Sequence, residues 1–357
     1  MHTHCSWIAR CSVPFILGVV AMATAQTVTP GSMADLTRKH TLTAKDDAAI
    51  EAFVDRYAGD LSSDDDAARI AARQKLVADL KGLSGQRATP LFREAYAAAL
   101  TPRLRTAMQD GSIPTGIAAA QVAGVLGTDS AVAVLTDHLT ADREQRDAIR
   151  LWAAASLRPL INEPNVTSSK LLRAIAAVGR AGAGEPSWPA LRQQLETLST
   201  AVSNSRPLDA GQEDLAAQAL KQQSGVLGAA IERFQGGDLD MLMAIEPGLL
   251  QIQQEFLDED DSNALNQLAL SMVPVLTGLY DAVLTQWPGL EGDSARLAGR
   301  SLDRAEVLVV LMNNYVTQAN DAASPDYQGA ISAGNRDAVE AGKRRWGVLG
   351  TRAPYAG

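Results

Sequence analysis

An all-α fold is predicted by three features of this 357-residue sequence. Apolar residues recur at helical spacing, as in Ile50, Phe53, Val54 and Tyr57, which stand at i, i+3, i+4 and i+7. No segment alternates apolar and polar residues with the β-branched enrichment of a strand. The breaks between apolar stretches carry the residues that start and stop helices: Asp64-Asp65-Asp66, Thr89-Pro90, Gly127-Thr128 and Pro288-Gly289.

The order along the chain follows from these signals. Residues 1–25 read as a secretion signal, with Arg10, an apolar run from Val13 to Ala23, and Ala23-Thr24-Ala25 as a cleavage motif. The run is shorter than the ~20 apolar residues a bilayer span requires, so no membrane span is expected after cleavage. Residues 26–45 lack a pattern and read as a flexible leader. A first helix is expected from about Asp46. Three aspartates favour the positive end of a second, with Ile70, Leu76, Val77 and Leu80 as its apolar face. Thr89 caps a third, faced by Leu91, Phe92, Ala95, Tyr96 and Leu100, which Pro102 should kink or split.

The segment from Gly116 to Ile161 is the most informative. A helix over Ile117–Leu126 stops at Gly127, Thr128 caps the next, and a third is expected over Ala141–Ile161 with Ile149, Trp152, Ala153, Ser156, Leu157 and Leu160 facing inward. Further helices are expected at Leu171–Val178 and Leu191–Val202. Ser203–Gly211, with Pro207, reads as a break before longer helices at Leu215–Phe234, Leu239–Leu257, Leu265–Trp287 and Leu297–Ala319. From Asp321 onward glycine, proline and polar residues dominate, so residues 322–357 read as a mostly mobile tail.

Val125-Leu126-Gly127, Ala148-Ile149-Arg150 and Ala153-Ala154-Ala155 occupy the places of a Leu-Gly stop, a Val-Arg start and an alanine pair. In this the segment resembles HEAT-like, armadillo-type helical repeats. That resemblance covers one good unit, with looser ones on either side. It implies an α-solenoid of repeats over residues 46–206, followed by a longer-helix bundle or a continued α-α superhelix over 207–321. Alanine-lined helices of this kind must stack on neighbours to bury their faces.

Composition narrows the chemistry. Net charge is −9, and −10 once Arg10 leaves with the signal, which disfavours nucleic acid as the main partner. Cys5 and Cys11 leave as well, so the mature chain is expected to have no disulfide, thiolate catalysis or cysteine-bound metal. His40 and His138 are the remaining imidazoles, and His138 reads as a surface or groove-edge residue. Asp258, Asp260 and Asp261 suggest a calcium loop, but Asn263 replaces the glycine and Ala269 the bidentate glutamate, so an acidic turn is the better reading. Gly292-Asp293-Ser294-Ala295-Arg296 lacks the last glycine of a nucleophile elbow, and no lysine has a serine three residues before it.

Asn313, Asn314 and Tyr315, inside an apolar helix, are the best catalytic candidates. They match in residue type the asparagine and tyrosine of α/α polysaccharide lyases. Lys343, Arg344, Arg345 and Trp346 form the one dense basic cluster, which could meet an acidic partner, a membrane surface or the protein's own acidic body, but reads best as part of a solvated tail. No cofactor is implied. The expected function is a non-catalytic scaffold, exported to the periplasm or beyond, that binds another protein. The alternative is a carbohydrate-active enzyme or glycan-binding module.

Overall fold

The computed structural model describes residues 33–81, 88–203, 215–259, 262–324 and 326–355. The signal at 1–25, residues 26–32 of the leader, and Asp260 and Asp261 lie outside them. Among the described residues the chain is helical, with no strand. Helix α1 spans Met33–Leu36, α2 Ala44–Leu61, α3 Asp66–Lys81, α4 Pro90–Asp110, α5 Ile113–Leu126, α6 Asp129–Thr136, α7 Asp147–Ile161 and α8 Ser168–Gly184. Helix α9 spans Trp188–Val202, α10 Leu215–Gln235, α11 Leu242–Asp258, α12 Ser262–Gln286, α13 Gly292–Thr317, α14 Tyr327–Ser332 and α15 Arg336–Trp346.

The capping signals act as their chemistry requires. Thr43 and Asp46 form a reciprocal capping box on α2. The hydrogen bonds from Lys39 and Thr43 hold the Asp46 carboxyl at about 2, below the ordinary carboxylate range. Thr89 and Thr128 accept from Phe92 N and Ala131 N at the starts of α4 and α6. Gly127 ends α5 with φ of 67°, a left-handed conformation that glycine adopts without steric cost. Helix α5 begins at Ile113, earlier than the apolar run, because Ser112 caps it and Pro114 fits its first turn.

Several expectations are corrected. Residues 33–45 of the leader are built into the fold: Met33 and Leu36 are buried, and Thr37 O accepts from Thr89 N at 2.8 Å. Ile70 and Leu91 are exposed, and the inward faces of α3 and α4 are instead Ala72, Leu76 and Leu80, and Phe92, Tyr96 and Leu100. Pro102 does not split α4, which runs unbroken from Pro90 to Asp110; Pro102 and Ala98, whose carbonyl it leaves without a donor, are both exposed. Helix α7 starts at Asp147 rather than Ala141, because residues 140–146 are bound into a turn by Glu144. Residues 326–355, read from composition as tail, are mostly helical. Tyr327, Ile331, Val339, Trp346 and Tyr355 are buried and pin them to the body.

Each helix from α2 to α11 touches its next-but-one neighbour. The contacts form two interleaved series, α2–α4–α6–α8–α10–α12 and α3–α5–α7–α9–α11–α13, with cross-contacts between them. The helices on either side of residues 204–214 join directly, α8 and α9 packing on α10 and α9 on α11. Small residues set the spacing. A Cβ on Gly124 would lie 2.7 Å from the Ser156 carbonyl, so α5 and α7 meet there backbone to backbone. Helix α12 with the turn after it, Ser262–Gly289, is long and apolar enough to cross a membrane, but 61% of its most apolar window is buried against the rest of the fold.

Arg93, buried, and Arg146, half-buried, close helix C-termini that would otherwise leave carbonyls bare. Arg93 donates to Leu126 O at 2.9 Å and Leu80 O at 3.1 Å, capping α5 and α3 together. Arg146 donates to Gly111 O at 2.7 Å and to Met108 O at the end of α4. Arg150, in the Val-Arg position, is 2% exposed and forms a two-pronged ion pair with Glu185, itself fully buried.

Helix α14 lies on α13 at Gly299, where a Cβ would overlap Gln328 Cα and sit 2.9 Å from Gln328 N. In an exposed helix Gly→Ala gains up to about 1 kcal/mol from propensity alone. Here backbone cannot yield, and Gly299→Ala should instead cost about 1–3 kcal/mol. Urea denaturation of the variant checks the sign; a more stable variant would show that α14 does not rest on this glycine.

Candidate functional site

Helices α13, α14 and α15 enclose a cleft of about 540 Å³. Glu306 and Trp346 line its buried wall, at 2% and 3% exposure, while Asp326 and Arg345 stand exposed at its margin. Glu306 sits in the run Ala305–Met312, where every other residue is apolar, and helical geometry turns it toward α14 and α15.

Hydrogen bonds hold the walls. Glu306 Oε1 accepts from Ser324 N at 3.0 Å. Asp303 accepts from Tyr327 N at 2.6 Å and from Gln328 N at 3.4 Å, anchoring the start of α14. Tyr280 Oη donates to Tyr327 Oη at 3.4 Å, and the two rings meet edge to face with centroids 5.5 Å apart. Gly342 makes this approach feasible, since a Cβ there would overlap the Tyr327 hydroxyl and lie 2.7 Å from the Tyr280 ring.

Burial first, and then the hydrogen bond to Glu306, raises the Tyr327 hydroxyl well above the ordinary phenol range. Burial likewise raises the Asp303 carboxyl, helped by repulsion from Asp326 and Glu306. The site is short of positive charge. Among the described residues no Lys or Arg nitrogen lies within 4 Å of a carboxylate oxygen of Asp303, Glu306 or Asp326. Arg345 does not fill this role: its guanidinium stacks 4.3 Å from the centroid of the Trp346 ring and donates to Ala322 O at 3.3 Å. The Trp346 indole N–H is buried with no acceptor.

The residues singled out by sequence have other duties. Asn313 donates to Asp321 Oδ2 at 3.2 Å and accepts from the Tyr355 hydroxyl at 3.1 Å. Asn314 makes a reciprocal pair with the Asp321 backbone, at 2.9 and 3.0 Å. Tyr315 donates to Ser262 O at 3.2 Å and packs edge-on against Phe256. All three bind the chain to itself. Asp258 is exposed at the end of α11, while Asp260 and Asp261 lie outside the described residues. Among the described residues no three His, Cys, Asp or Glu side chains are grouped to hold a metal.

His40 is exposed. His138, expected at the surface, is buried, with Nδ1 3.1 Å from Glu144 Oε2. Burial raises the Glu144 carboxyl, but the hydrogen bonds of Arg146 and His138 outweigh it and leave the group below its ordinary range. In the basic cluster Trp346 is buried while Lys343, Arg344 and Arg345 are exposed; Lys343 pairs with Asp281 on α12, and Arg344 with Glu340 of its own helix at 3.8 Å.

Comparison with known protein families, curated proteins and solved structures finds no match. Sequence reasoning missed Glu306, Asp326 and Tyr327. The available signal was a lone glutamate inside Ala305–Met312, which a helix buries only for a reason.

Proposed function

We propose that the mature chain is an exported, non-catalytic HEAT-like scaffold that binds another protein in the cell envelope. The observation that carries this reading is the pair of interleaved helix series from α2 to α13, the contact pattern expected of stacked helical hairpins. Arg150 in the repeat's arginine place, buried against Glu185 from the following helical pair, agrees with it. The α13–α15 cleft gives such a scaffold one recessed contact point beside its broader surface. The lyase alternative is not favoured, because Asn313, Asn314 and Tyr315 are spent on internal hydrogen bonds.

A photo-reactive residue in place of Arg345, with another in place of the 62%-exposed Leu257 as control, tests the reading in intact cells. One protein crosslinked from position 345, identified by mass spectrometry and then bound in purified form, is the expected result. Absence of any such protein, together with turnover of an acidic polysaccharide that Tyr315→Phe abolishes, would replace the scaffold by an enzyme.

A further inference from the structure

We infer that the α13–α14–α15 cleft receives an arginine side chain from an exposed segment of a partner protein, with Glu306 as its counter-charge. The inference rests on the scaffold reading and names the chemistry of its partner.

Glu306 is 2% exposed and has no cation within ion-pairing distance among the described residues, although buried glutamates are almost always paired. Asp326 adds a second carboxylate at the margin of the same cleft. A cation is therefore what the site lacks. The grouping fits no metal among the described residues, which leaves an organic cation. A planar guanidinium suits the site better than an ammonium, because it can donate to two separate carboxylates while its carbon framework fills an apolar cleft.

Trp346 supplies an independent indication. It lines the cleft at 3% exposure, and its indole N–H has no acceptor. A buried donor without an acceptor is costly, and the backbone carbonyl of a bound segment would satisfy it. Carboxylates for a side chain and an N–H for a carbonyl together describe a peptide rather than a free amine. Arg345 shows that the margin tolerates a guanidinium: it lies over the Trp346 ring and donates to a backbone carbonyl.

The test is calorimetric titration of the full mature chain with three blocked pentapeptides, Gly-Ala-Xaa-Ala-Gly, where Xaa is arginine, lysine or the uncharged isostere citrulline. The arginine peptide should bind about tenfold more tightly than the citrulline one, with lysine between them. Glu306→Gln should lower arginine-peptide affinity about tenfold, and Trp346→Phe about fivefold. Asp326→Asn, at an exposed position that does not endanger folding, should lower it about threefold and reduce its dependence on salt. Thermal melts establish that each variant is folded. Equal affinity for arginine and citrulline, no binding of arginine, or unchanged binding in both Glu306→Gln and Asp326→Asn would overturn the inference. A crosslinked partner that binds Glu306→Gln as well as wild type would overturn it while leaving the scaffold standing. Arginine-peptide binding without any protein partner would overturn the scaffold and the partner as the source of the arginine, while leaving the cleft's preference for a guanidinium.

Discussion

Arg150→Ala should destabilise the chain by about 3–5 kcal/mol, the range for removing one partner of a buried ion pair. The size comes from what is left behind. Glu185 is fully buried, and its two oxygens accept from Arg150 Nη2 and Nε at 2.7 and 2.8 Å. Ser187 N at 3.0 Å and Gln194 Nε2 at 3.3 Å would remain as donors, but neither carries charge. Arg150 also donates to Glu144 O at 2.7 Å, so the turn between α6 and α7 loses a tether. The hydrogen bonds it donates to Glu185, and that carboxylate's charge, raise the Arg150 guanidinium further above its already high ordinary value.

A double variant separates charge from packing. Arg150→Met, Glu185→Leu should be more stable than either single removal, since apolar side chains of similar volume need no counter-charge. Urea denaturation at pH 7 measures it. A single variant losing less than about 1 kcal/mol would mean that the pair contributes no more than an exposed salt bridge.

That ion pair also marks how far the sequence could be read. Arg150 was visible as the arginine of the repeat pattern, although the start of its helix was misplaced at Ala141. Thr89-Pro90 and Thr128 were legible because a helix cap is a local feature, and so was the face of α9, where Leu191, Leu195, Leu198 and Val202 are all buried. Glu185 was not legible as its partner, since 35 residues separate them and nothing local relates the two. The end of the chain failed for a related reason. Glycine, proline and polar residues dominate it, yet Tyr327, Ile331, Val339, Trp346 and Tyr355, widely spaced, suffice to seat α14 and α15. Their seats are on α12 and α13, far back in the chain. Asn313 and Asn314 were conspicuous, but their partners Asp321 and Tyr355 lie in that same end. A cleft made between α13 and α15 therefore could not be read from either alone.

Glu255→Gln should make the protein more stable above neutral pH, by up to about 3 kcal/mol at pH 8, while changing little at pH 4.5. Glu255 lies on α11, 7% exposed. Burial raises its carboxyl from 4.5 to about 7, against the opposing pull of hydrogen bonds from Ser199 and Gln223. The sign follows from proton counting. The folded chain holds the Glu255 proton up to about pH 7, whereas the unfolded chain releases it near 4.5. Between those values folding takes up a proton, so stability falls as pH rises through the window and levels off above it.

The amide variant has no proton to lose and escapes that slope. Its added N–H group also has somewhere to go. Gln223 donates to Glu255 Oε1 at 3.0 Å, while Gln223 Oε1 and Glu255 Oε2 are buried without partners. Rotating the Gln223 amide would present its oxygen to the new donor, so a hydrogen bond between the two side chains is kept. Urea denaturation of both proteins at pH 4.5, 6 and 8 should show wild-type stability falling relative to the variant by nearly the whole difference across the series. Parallel pH profiles for the two would mean that Glu255 is ionised within the fold at every pH tested, and that the space between α10 and α11 is wetter than its packing implies.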